Sequence, residues 1–295
     1  MILSGLAPAK VNLFLHVGPL DGDGYHPLAS LVAFADVGDG VTVETADQLS
    51  LSVAGPFGAG LAVEGDNLIL RALRALGEVA GIGEPPLAVT LDKRLPIAAG
   101  LGGGSSDAGA ALRLAREILA LSLDDEALAA VAARVGADGP MCLFARPCWA
   151  EGRGDILIPE PALPPVHAVL VNPGVPSPTG AVYRAYDEGA GGFADRPDAP
   201  EAWSAEAVID WLSAQRNDLE APAIRLEPVI GSALEAVRDA SGVALARMSG
   251  SGATVFGLCR DEAAAQAAAL ALSAMHPDWW VRACLLGAPK LSREP

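Results

Sequence analysis

The stretch Pro96–Leu114 reads PIAAGLGGGSSDAGAALRL, and this order predicts a glycine loop that leads directly into a helix. Four of the five residues at 100–104 are glycines, which adopt positive φ angles and let the backbone approach a ligand closely. Ser105, Ser106 and Asp107 are good N-cap residues, and the small and apolar residues after them recur at helical spacing. A helix that begins after such a loop presents unpaired N–H groups and the positive end of its dipole, so it favours an anion such as phosphate.

The glycine loop matches neither of two common nucleotide-binding motifs. The pattern GxxxxGK[ST] needs a lysine after the glycines, and GxGxxG needs a glycine at position 105, where Ser105 stands. A capped helix after a flexible surface loop is therefore an open alternative. The density of glycines, followed at once by two serines, favours phosphate binding over that alternative.

The composition is that of a globular and strongly acidic protein. The chain has 295 residues, of which 51% are hydrophobic and 19% are charged, which is enough for a large core and most simply for two domains. The net charge is −16 and the sequence pI is near 4.5, so nucleic acid and anionic membranes are poor electrostatic partners. A phosphate ligand would have to meet local cations, helix N-termini or a bound metal ion.

The cysteines and the N-terminus predict a cytoplasmic protein. Cys142, Cys148, Cys259 and Cys284 include no CxxC pair, so we expect reduced thiols and no zinc site. The N-terminal residues MILSGLAPAK lack the basic and apolar regions of a signal peptide. The alanine-rich segment Ala263–Met275 is too short to span a bilayer.

The pattern PxxxGLGGGSSxA of residues 96–108 resembles the phosphate loop of the GHMP kinase superfamily, which contains galacto-, homoserine and mevalonate kinases. Its GLGGGSS form is most similar to the branch whose alcohol substrate is 4-diphosphocytidyl-2-C-methyl-D-erythritol. The resemblance implies an α+β, two-domain GHMP kinase fold. The N-terminal domain, residues 1–160, would be like the second domain of ribosomal protein S5, and the C-terminal domain, residues 161–295, would be ferredoxin-like. The residues implied to bind ATP are Pro96, Ile97, Ala98, Ala99, Gly100, Leu101, Gly102, Gly103, Gly104, Ser105 and Ser106.

The segment LAPAKVNLFLHV at Leu6–Val17 alternates from Lys10 onward and predicts a strand with two usable faces. From the sequence alone, Lys10 is a solvated charge at the start of that strand. PAKxNLFL is similar to the opening motif of the family, however, where the lysine lies beside the acceptor hydroxyl and the asparagine contacts substrate. The resemblance therefore implies that Lys10 is catalytic and that Asn12 binds substrate.

The sequence DGDGYH at Asp21–His26 is a glycine turn followed by an aromatic residue and a histidine. A buried Tyr–His pair that satisfies its own hydrogen bonds is one interpretation. DGYH also resembles the family's base-recognition motif, which implies that Tyr25 stacks on cytosine and His26 bonds the edge of the base. An aromatic face is a general platform for a base, and an imidazole can donate or accept a hydrogen bond. By the same resemblance, Tyr183 in the later proline-rich turn is the second aromatic residue on the base.

Asp138 lies in the sequence GADGP at residues 136–140 and would by default be a turn aspartate. The family has GADVP here, and its aspartate is the candidate base for the acceptor hydroxyl. The resemblance therefore assigns Asp138 as a catalytic residue. Gly139 replaces the usual valine, and we expect the position beside the base to be looser for that reason.

A second glycine–serine loop, RMSGSGAT at Arg247–Thr254, lies between predicted strands at Leu245–Met248 and Val255–Cys259. A tight β-hairpin is the simplest interpretation. The loop also resembles the third GHMP motif, which faces the phosphate loop from the other domain. Asn217–Glu220, reading NDLE, resembles a further family segment with a structural role.

Periodicity predicts most of the remaining elements. The segments Val41–Thr45 and Leu49–Val53 alternate and predict a β-hairpin. Lys93 and Arg94, just before the phosphate loop, are either local cations or solvated charges. Helices are predicted at Asn67–Ala80, Asp124–Val135, Glu227–Val237 and Asp261–Met275.

Taken together, the motifs predict a small-molecule kinase that uses ATP and Mg2+ to phosphorylate the alcohol of a cytidine diphosphate compound. The Mg2+ would be held largely by phosphate and water, with Ser106 a candidate protein ligand. We expect a monomer or weak homodimer with a small-molecule substrate and without nucleic acid or membrane partners. Two alternatives stay open: another GHMP kinase, such as a mevalonate-type enzyme, and a catalytically silent GHMP-fold protein that binds a ligand and regulates. A purely structural module is disfavoured by the two glycine–serine loops.

Overall fold

The computed structural model describes residues 1–61, 67–189, 191–291 and 293–294. The strands are β1 (Ile2–Val17), β2 (Leu28–Thr45), β3 (Ser50–Ala54), β4 (Leu87–Asp92), β5 (Cys148–Gly152), β6 (Ile156–Pro159), β7 (Val166–Asn172), β8 (Val243–Met248), β9 (Val255–Cys259), β10 (Trp280–Gly287) and β11 (Arg293–Glu294). The helices are α1 (Leu68–Ala80), α2 (Gly103–Ile118), α3 (Asp125–Ala133), α4 (Gly139–Phe144), α5 (Thr179–Asp187), α6 (Ala205–Ser213), α7 (Glu220–Leu226), α8 (Val229–Asp239) and α9 (Glu262–Met275). Among the described residues, no helix has the length and apolar character needed to cross a membrane.

The described strands form one mixed sheet that runs through both halves of the chain. Its main path is β11-β1-β2-β10-β7-β9-β8, while β4 and β5 also pair with β2. The long antiparallel ladder between β1 and β2 extends from Ile2↔Glu44 to Val17↔Leu28. The two halves are joined by β2 and β10, which pair only at Ala35↔Leu286 and Phe34↔Gly287. This α+β architecture confirms the predicted fold class.

The predicted hairpin between Val41–Thr45 and Leu49–Val53 is wrong. The first segment is the end of β2, which pairs antiparallel with β4. The second segment overlaps β3, which pairs parallel with the other edge of β4. Both segments alternate as strands should, but alternation does not specify the partner, and β4 comes to lie between them.

Three apolar layers position the helices on the sheet. The N-terminal layer packs α1, α2 and α3 against β2, β3 and β4. The C-terminal layer packs α5, α7, α8 and α9 against β7, β9 and β10. A middle layer contains residues from both halves, including Phe14, Trp149 and Phe256, which are at most 1% exposed. The functional cleft lies where these layers meet.

The start of α2 differs from the predicted N-cap. The N-cap is Gly102, at φ +62°, and the helix begins at Gly103. Ser105, Ser106 and Asp107 therefore lie inside the first two turns, and the amide of Ser106 already donates to the Gly102 carbonyl. Glycine allows this earlier start because the left-handed conformation at Gly102 strains other residues.

Candidate active site

A cavity with a volume of about 700 Å³ lies between the two glycine–serine loops. Pro96–Ser105 form one wall, while Gly250 and Ser251 of the second loop lie opposite. The other lining residues that bear on the chemistry are Lys10, Asn12, Lys93, Asp107, Asp138, Arg153, Thr179 and Tyr183. The chain therefore brings most of the predicted site residues to one cleft, although they are spread over more than half of its length.

The phosphate loop points the N-terminus of α2 into this cavity. Because the helix starts at Gly103, the amides of residues 103–105 have no carbonyl one turn earlier to bond with. Together with the helix dipole, these amides favour an anion. All the predicted ATP-binding residues from Pro96 to Ser105 line the cavity. Ser106 does not, because its hydroxyl is fully buried and has no hydrogen-bond partner among the described residues.

The second glycine–serine loop fixes the position of the first. The buried Ser249 hydroxyl donates to the carbonyl of Gly100 at 3.0 Å and accepts from the amide of Asn12 at 3.2 Å. The amide of Thr254 donates to the carbonyl of Ala99 at 3.1 Å. Gly100 has φ +73°, and a Cβ atom there would overlap the Ser249 carbonyl. Glycine is thus required at position 100 both for its backbone conformation and for the close contact between the loops.

The turn before α5 is tied to the same loop. The Ser177 hydroxyl donates to the Ser251 carbonyl at 2.6 Å, and the hydroxyls of Thr179 and Ser251 lie 3.0 Å apart. The amide of Ser177 donates to the Ala98 carbonyl at 3.1 Å. Thr179 is the first residue of α5, and its hydroxyl faces the second loop. The wall opposite α2 is therefore held by hydrogen bonds rather than by apolar packing alone.

Lys10 and Asp138 form an ion pair in the cavity. Their Nζ and Oδ2 atoms are 3.5 Å apart, and the lysine side chain is 9% exposed while the aspartate side chain is 38% exposed. Lys10 Nζ also donates to Asn12 Oδ1 at 2.8 Å, and Asn12 Nδ2 in turn donates to the Ser30 hydroxyl at 2.8 Å. An exposed carboxylate beside a buried, oriented ammonium can accept a proton from a ligand hydroxyl while the ammonium stabilises its charge.

Gly139 is buried, and its environment is tight rather than loose. A Cβ atom added there would overlap the backbone carbonyl of Ala132, in the last turn of α3. The absence of a side chain therefore lets the first residue of α4 pack directly on α3. Asp138, the N-cap residue of α4, is held at the edge of this backbone contact. The expected looseness beside Asp138 is not what the structure shows.

Lys93 is a buried cation rather than a solvated one. Its Nζ lies 2.6 Å from Asp39 Oδ2 and 2.7 Å from Asp107 Oδ2, and its side chain is 3% exposed. Burial opposes the charge on Lys93, but the carboxylates of Asp107 and Asp39 raise its pKa above the ordinary value. Burial raises the pKa of Asp107 to about 8, against the effect of Lys93. Asp39 also accepts the amides of Arg94 and Leu95, at 2.6 and 2.8 Å, so it has more hydrogen-bond donors than Asp107.

Comparison with known proteins assigns the family. Residues 67–146 match the model of the GHMP kinases N terminal domain, and residues 204–278 match the model of the GHMP kinases C terminal domain. The chain is 56% identical, over 97% of its length and 100% of the relative, to 4-diphosphocytidyl-2-C-methyl-D-erythritol kinase of Caulobacter vibrioides. The chain belongs to the GHMP kinase family. It is accordingly a small-molecule kinase.

Solved structures agree with this placement among the GHMP kinases. A crystal structure of 4-(cytidine 5'-diphospho)-2C-methyl-D-erythritol kinase is 38% identical, with a TM-score of 0.79, over 96% of this chain and 99% of that one. Homoserine kinase from Cytophaga hutchinsonii, at 18% identity and a TM-score of 0.72, covers 99% of this chain and 97% of its own and shares the fold. The predicted family and fold are therefore confirmed.

The three aromatic and histidine residues predicted to bind a base are only partly in the cavity. Tyr183 lines it, whereas Tyr25 and His26 are not among its described lining residues. Tyr25 is 55% exposed, and its ring lies 4.2 Å below the guanidinium of Arg153, which does line the cavity. His26 is buried, and its ring stacks on Tyr183 with centroids 5.1 Å apart. Tyr25 is thus in contact with Arg153, and Tyr183 is in contact with His26.

Sequence analysis missed the roles of two cavity residues, Arg153 and Asp107, and of Asp187, which is not among the lining residues of the cavity. Arg153 sits in a Gly-Arg-Gly turn, and its position between two glycines is the signal that could have indicated a ligand contact. Asp107 was read as a helix cap and is instead a buried partner of Lys93. Asp187, which lies 3.2 Å from His26, carries no signal in the sequence, because only the fold brings the end of α5 to the loop before β2.

Proposed function

We propose that the protein transfers the γ-phosphoryl group of ATP to the 2-hydroxyl of 4-diphosphocytidyl-2-C-methyl-D-erythritol, a step in the non-mevalonate route to isoprenoid precursors. The observation that carries the proposal is the meeting of the phosphate loop and the Lys10–Asp138 pair in one cavity. This cavity belongs to a chain that is 56% identical to a kinase named for that substrate.

The phosphate loop Pro96–Ser106 would hold the triphosphate chiefly through the unpaired amides of residues 103–105 and the dipole of α2. Pro96 has no amide hydrogen to donate, and the amide of Ser106 already donates to the Gly102 carbonyl. Asp138 would accept the proton of the substrate hydroxyl. The hydroxyl oxygen then bonds to the γ-phosphorus as the bond to the β–γ bridging oxygen breaks, which releases ADP. Lys10, 3.5 Å from Asp138, would pair with its carboxylate and orient the hydroxyl. Because phosphoryl transfer has a loose transition state, placement of these groups matters more than the strength of the base.

Residues on the other side of the cleft would bind the cytidine part of the alcohol substrate. Tyr183 lines the cavity there, with His26 behind it and Tyr25 at the rim under Arg153. We assign the base to Tyr25, His26 and Tyr183, and the alcohol to Asn12, whose side chain is already oriented by Lys10 and Ser30. For the base to lie between the two tyrosines, Arg153 must move from the face of Tyr25.

The site residues fit a Mg2+ ion that is carried mainly by the nucleotide. Among the described residues, no group of three or more histidine, cysteine or carboxylate side chains could hold a metal ion. The side chains of Ser105 and Asp138 line the cavity and offer the oxygen ligands that Mg2+ prefers. Ser106 is unsuitable because its hydroxyl is buried. Bound Mg2+ would neutralise charge on the β- and γ-phosphates.

The acidic surface fits a protein whose partners are small molecules. With a net charge of −16, the chain would repel nucleic acid and anionic lipid outside this cleft. We therefore propose a cytoplasmic enzyme, monomeric or weakly dimeric, that binds neither. The proposed division into residues 1–160 and 161–295 places the phosphate loop and Asp138 in the first part, with Tyr183 and the second loop in the second.

The first test is ADP release with ATP, Mg2+ and 4-diphosphocytidyl-2-C-methyl-D-erythritol, for the wild type and for Asp138→Asn. The amide cannot accept the proton, so we expect kcat to fall by about 10²- to 10⁴-fold with little change in KM. Glu126→Gln, an exposed carboxylate on α3, is the matched control and should keep full activity.

Mevalonate and galactose test the choice of substrate in the same assay. Turnover of either alcohol, without turnover of the cytidyl substrate, would overturn the assignment of the base site. Tight ATP binding without turnover of any of the three would favour the regulatory alternative. If Asp138→Asn keeps the wild-type kcat, Asp138 is not the base. The proposed reaction itself would still stand.

A further inference from the structure

A buried ammonium and two buried carboxylates lie against the first residue of α2. Lys93 Nζ is 2.6 Å from Asp39 Oδ2 and 2.7 Å from Asp107 Oδ2, and each of the three side chains is at most 4% exposed. A Cβ atom built on Gly103 would lie 3.0 Å from Lys93 Nζ and 3.7 Å from Asp39 Oδ2. This Asp39–Lys93–Asp107 cluster therefore packs where the unpaired amides of the helix begin.

The cluster connects the two ends of the phosphate loop. Before the loop, Asp39 Oδ1 accepts the amides of Arg94 and Leu95 at 2.6 and 2.8 Å. After the loop, Asp107 lies in the second turn of α2 and is joined to Asp39 through Lys93. One ammonium thus bridges a carboxylate that holds the entry to the loop and a carboxylate on the helix that follows it.

The backbone of Lys93 is fixed as well. Its amide donates to the Ala54 carbonyl at 2.9 Å, and its carbonyl accepts from the amide of Phe57 at 3.1 Å. The bonds from the C-terminal half, by contrast, end on the carbonyls of residues 98–100 in the middle of the loop. The cluster and the second glycine–serine loop therefore hold different parts of the phosphate loop.

We propose that Asp39, Lys93 and Asp107 are positioning residues for the nucleotide: they fix the two ends of the phosphate loop, so that the amides of residues 103–105 are already in place when ATP binds. This inference rests on the proposed function, in which these amides hold the triphosphate. Donors that are already in place bind an anion without the entropic cost of ordering the loop. Because the loop holds the phosphates both before and during transfer, loss of a positioning residue should raise KM for ATP more than it lowers kcat.

The charge of the cluster is compatible with an anion beside it. Two ionised carboxylates around one ammonium would place a net negative charge next to the triphosphate. Burial raises the pKa of Asp107 to about 8, so at pH 7 most of its carboxyl groups carry a proton and Asp39 alone balances Lys93. The link through Lys93 therefore adds little repulsion to a bound nucleotide near neutral pH.

Calorimetry with ATP and Mg2+ at pH 7 tests the proposal in the wild type, Asp107→Leu and Asp107→Asn. Leucine is similar in size to aspartate but offers Lys93 no acceptor, so Asp107→Leu should raise the Kd of ATP by about tenfold. The amide oxygen of asparagine can accept from Lys93, so Asp107→Asn should recover most of that loss.

Lys93→Met breaks the same link from its other side and should weaken ATP binding by a similar factor. In the double variant Lys93→Met/Asp107→Leu the link is already absent. The loss should therefore match that of one single variant, rather than the product of the two.

Steady-state kinetics separates positioning from a general structural role. In Asp107→Leu, KM for ATP should rise by the same factor as the Kd, while kcat and KM for the cytidyl alcohol change by less than about twofold. A general loss of structure would change all three together. Asp47→Leu, at an exposed aspartate before β3, is the matched control and should keep the wild-type Kd for ATP.

Wild-type affinity for ATP in Asp107→Leu and Lys93→Met would overturn the inference, as would an Asp107→Asn variant that binds ATP as weakly as Asp107→Leu. Thermal unfolding shows which variants are folded, and if Asp107→Leu is not, Lys93→Met decides. A wild type that binds ATP but turns over no cytidyl alcohol would refute the proposed reaction, and the Kd values would still decide the inference. A wild type that does not bind ATP would refute both.

Discussion

At the scale of single residues, the cluster beneath the phosphate loop contains two carboxylates and one ammonium. Asp39 accepts Lys93 and two backbone amides, whereas Asp107 accepts Lys93 through one oxygen only. Asp107 Oδ1 is buried and has no partner among the described residues. Burial of Asp107 therefore outweighs the opposing effect of Lys93 and raises the pKa of Asp107 to about 8.

This raised pKa predicts a pH-dependent stability that Asp107→Asn should remove. In the unfolded chain an aspartate ionises near pH 4, while folded Asp107 keeps its proton until about pH 8. Its stabilising contribution is complete below pH 4 and is lost as the pH rises toward 8, with a slope of up to about 1.4 kcal/mol per pH unit. The raised pKa of Lys93 matters only at higher pH, near and above the ordinary lysine value.

Denaturant unfolding between pH 5 and 9 measures the effect. The free energy of unfolding of Asp107→Asn should rise relative to the wild type as the pH increases through this range. Asp47→Asn, at an exposed site before β3, is the control, and its free energy of unfolding should change with pH in parallel with that of the wild type. If the free energy of unfolding of Asp107→Asn also changes with pH in parallel with that of the wild type, Asp107 is ionised in the folded protein across this range.

At the scale of elements, α3 and α4 place Asp138 through a backbone contact that only glycine permits. The Gly139→Val substitution, which introduces the residue usual in the family pattern, should push α4 away from the Ala132 carbonyl. We expect a loss of stability of about 1–3 kcal/mol and a fall in kcat of about tenfold or more, because Asp138 moves with the helix. Thermal unfolding and ADP release measure the two effects.

The matched control is Gly136→Val, since a Cβ atom there meets no close backbone atom and the residue has an ordinary backbone conformation. It should leave stability nearly unchanged. A Gly139→Val enzyme with wild-type stability and kcat would mean that α3 and α4 separate without displacing Asp138.

The same elements show what the sequence can and cannot predict. The strand at Lys10, the phosphate loop and the second glycine–serine loop carry local patterns, and each was placed correctly. The order β2–β4–β3 was missed because alternation indicates a strand but not its neighbour. The roles of Lys93 and Asp187 were missed because their partners are 54 and 161 residues away in the chain, beyond the reach of any local pattern.

At the scale of the whole molecule, one sheet and one middle core connect the two halves. The proposed boundary after residue 160 falls between β6 and β7, yet Phe14 of β1 and Phe256 of β9 belong to the same apolar cluster. The loops from both halves are also joined by the hydrogen bonds of Ser249 and Thr254. Loss of packing in either half should therefore destabilise both halves and the cleft between them.

Phe256→Ala tests this coupling, because the ring is fully buried in the shared cluster. The void left by the missing ring should lower the free energy of unfolding by about 3–5 kcal/mol. Cooperative unfolding of one core predicts that amides of β4, in the N-terminal half, and of β9 lose hydrogen-exchange protection to the same extent. Leu270→Ala, at a side chain that is 74% exposed on α9, should change neither. Loss of protection confined to β7, β8 and β9 would show instead that the halves unfold independently, with the site assembled from two separately stable domains.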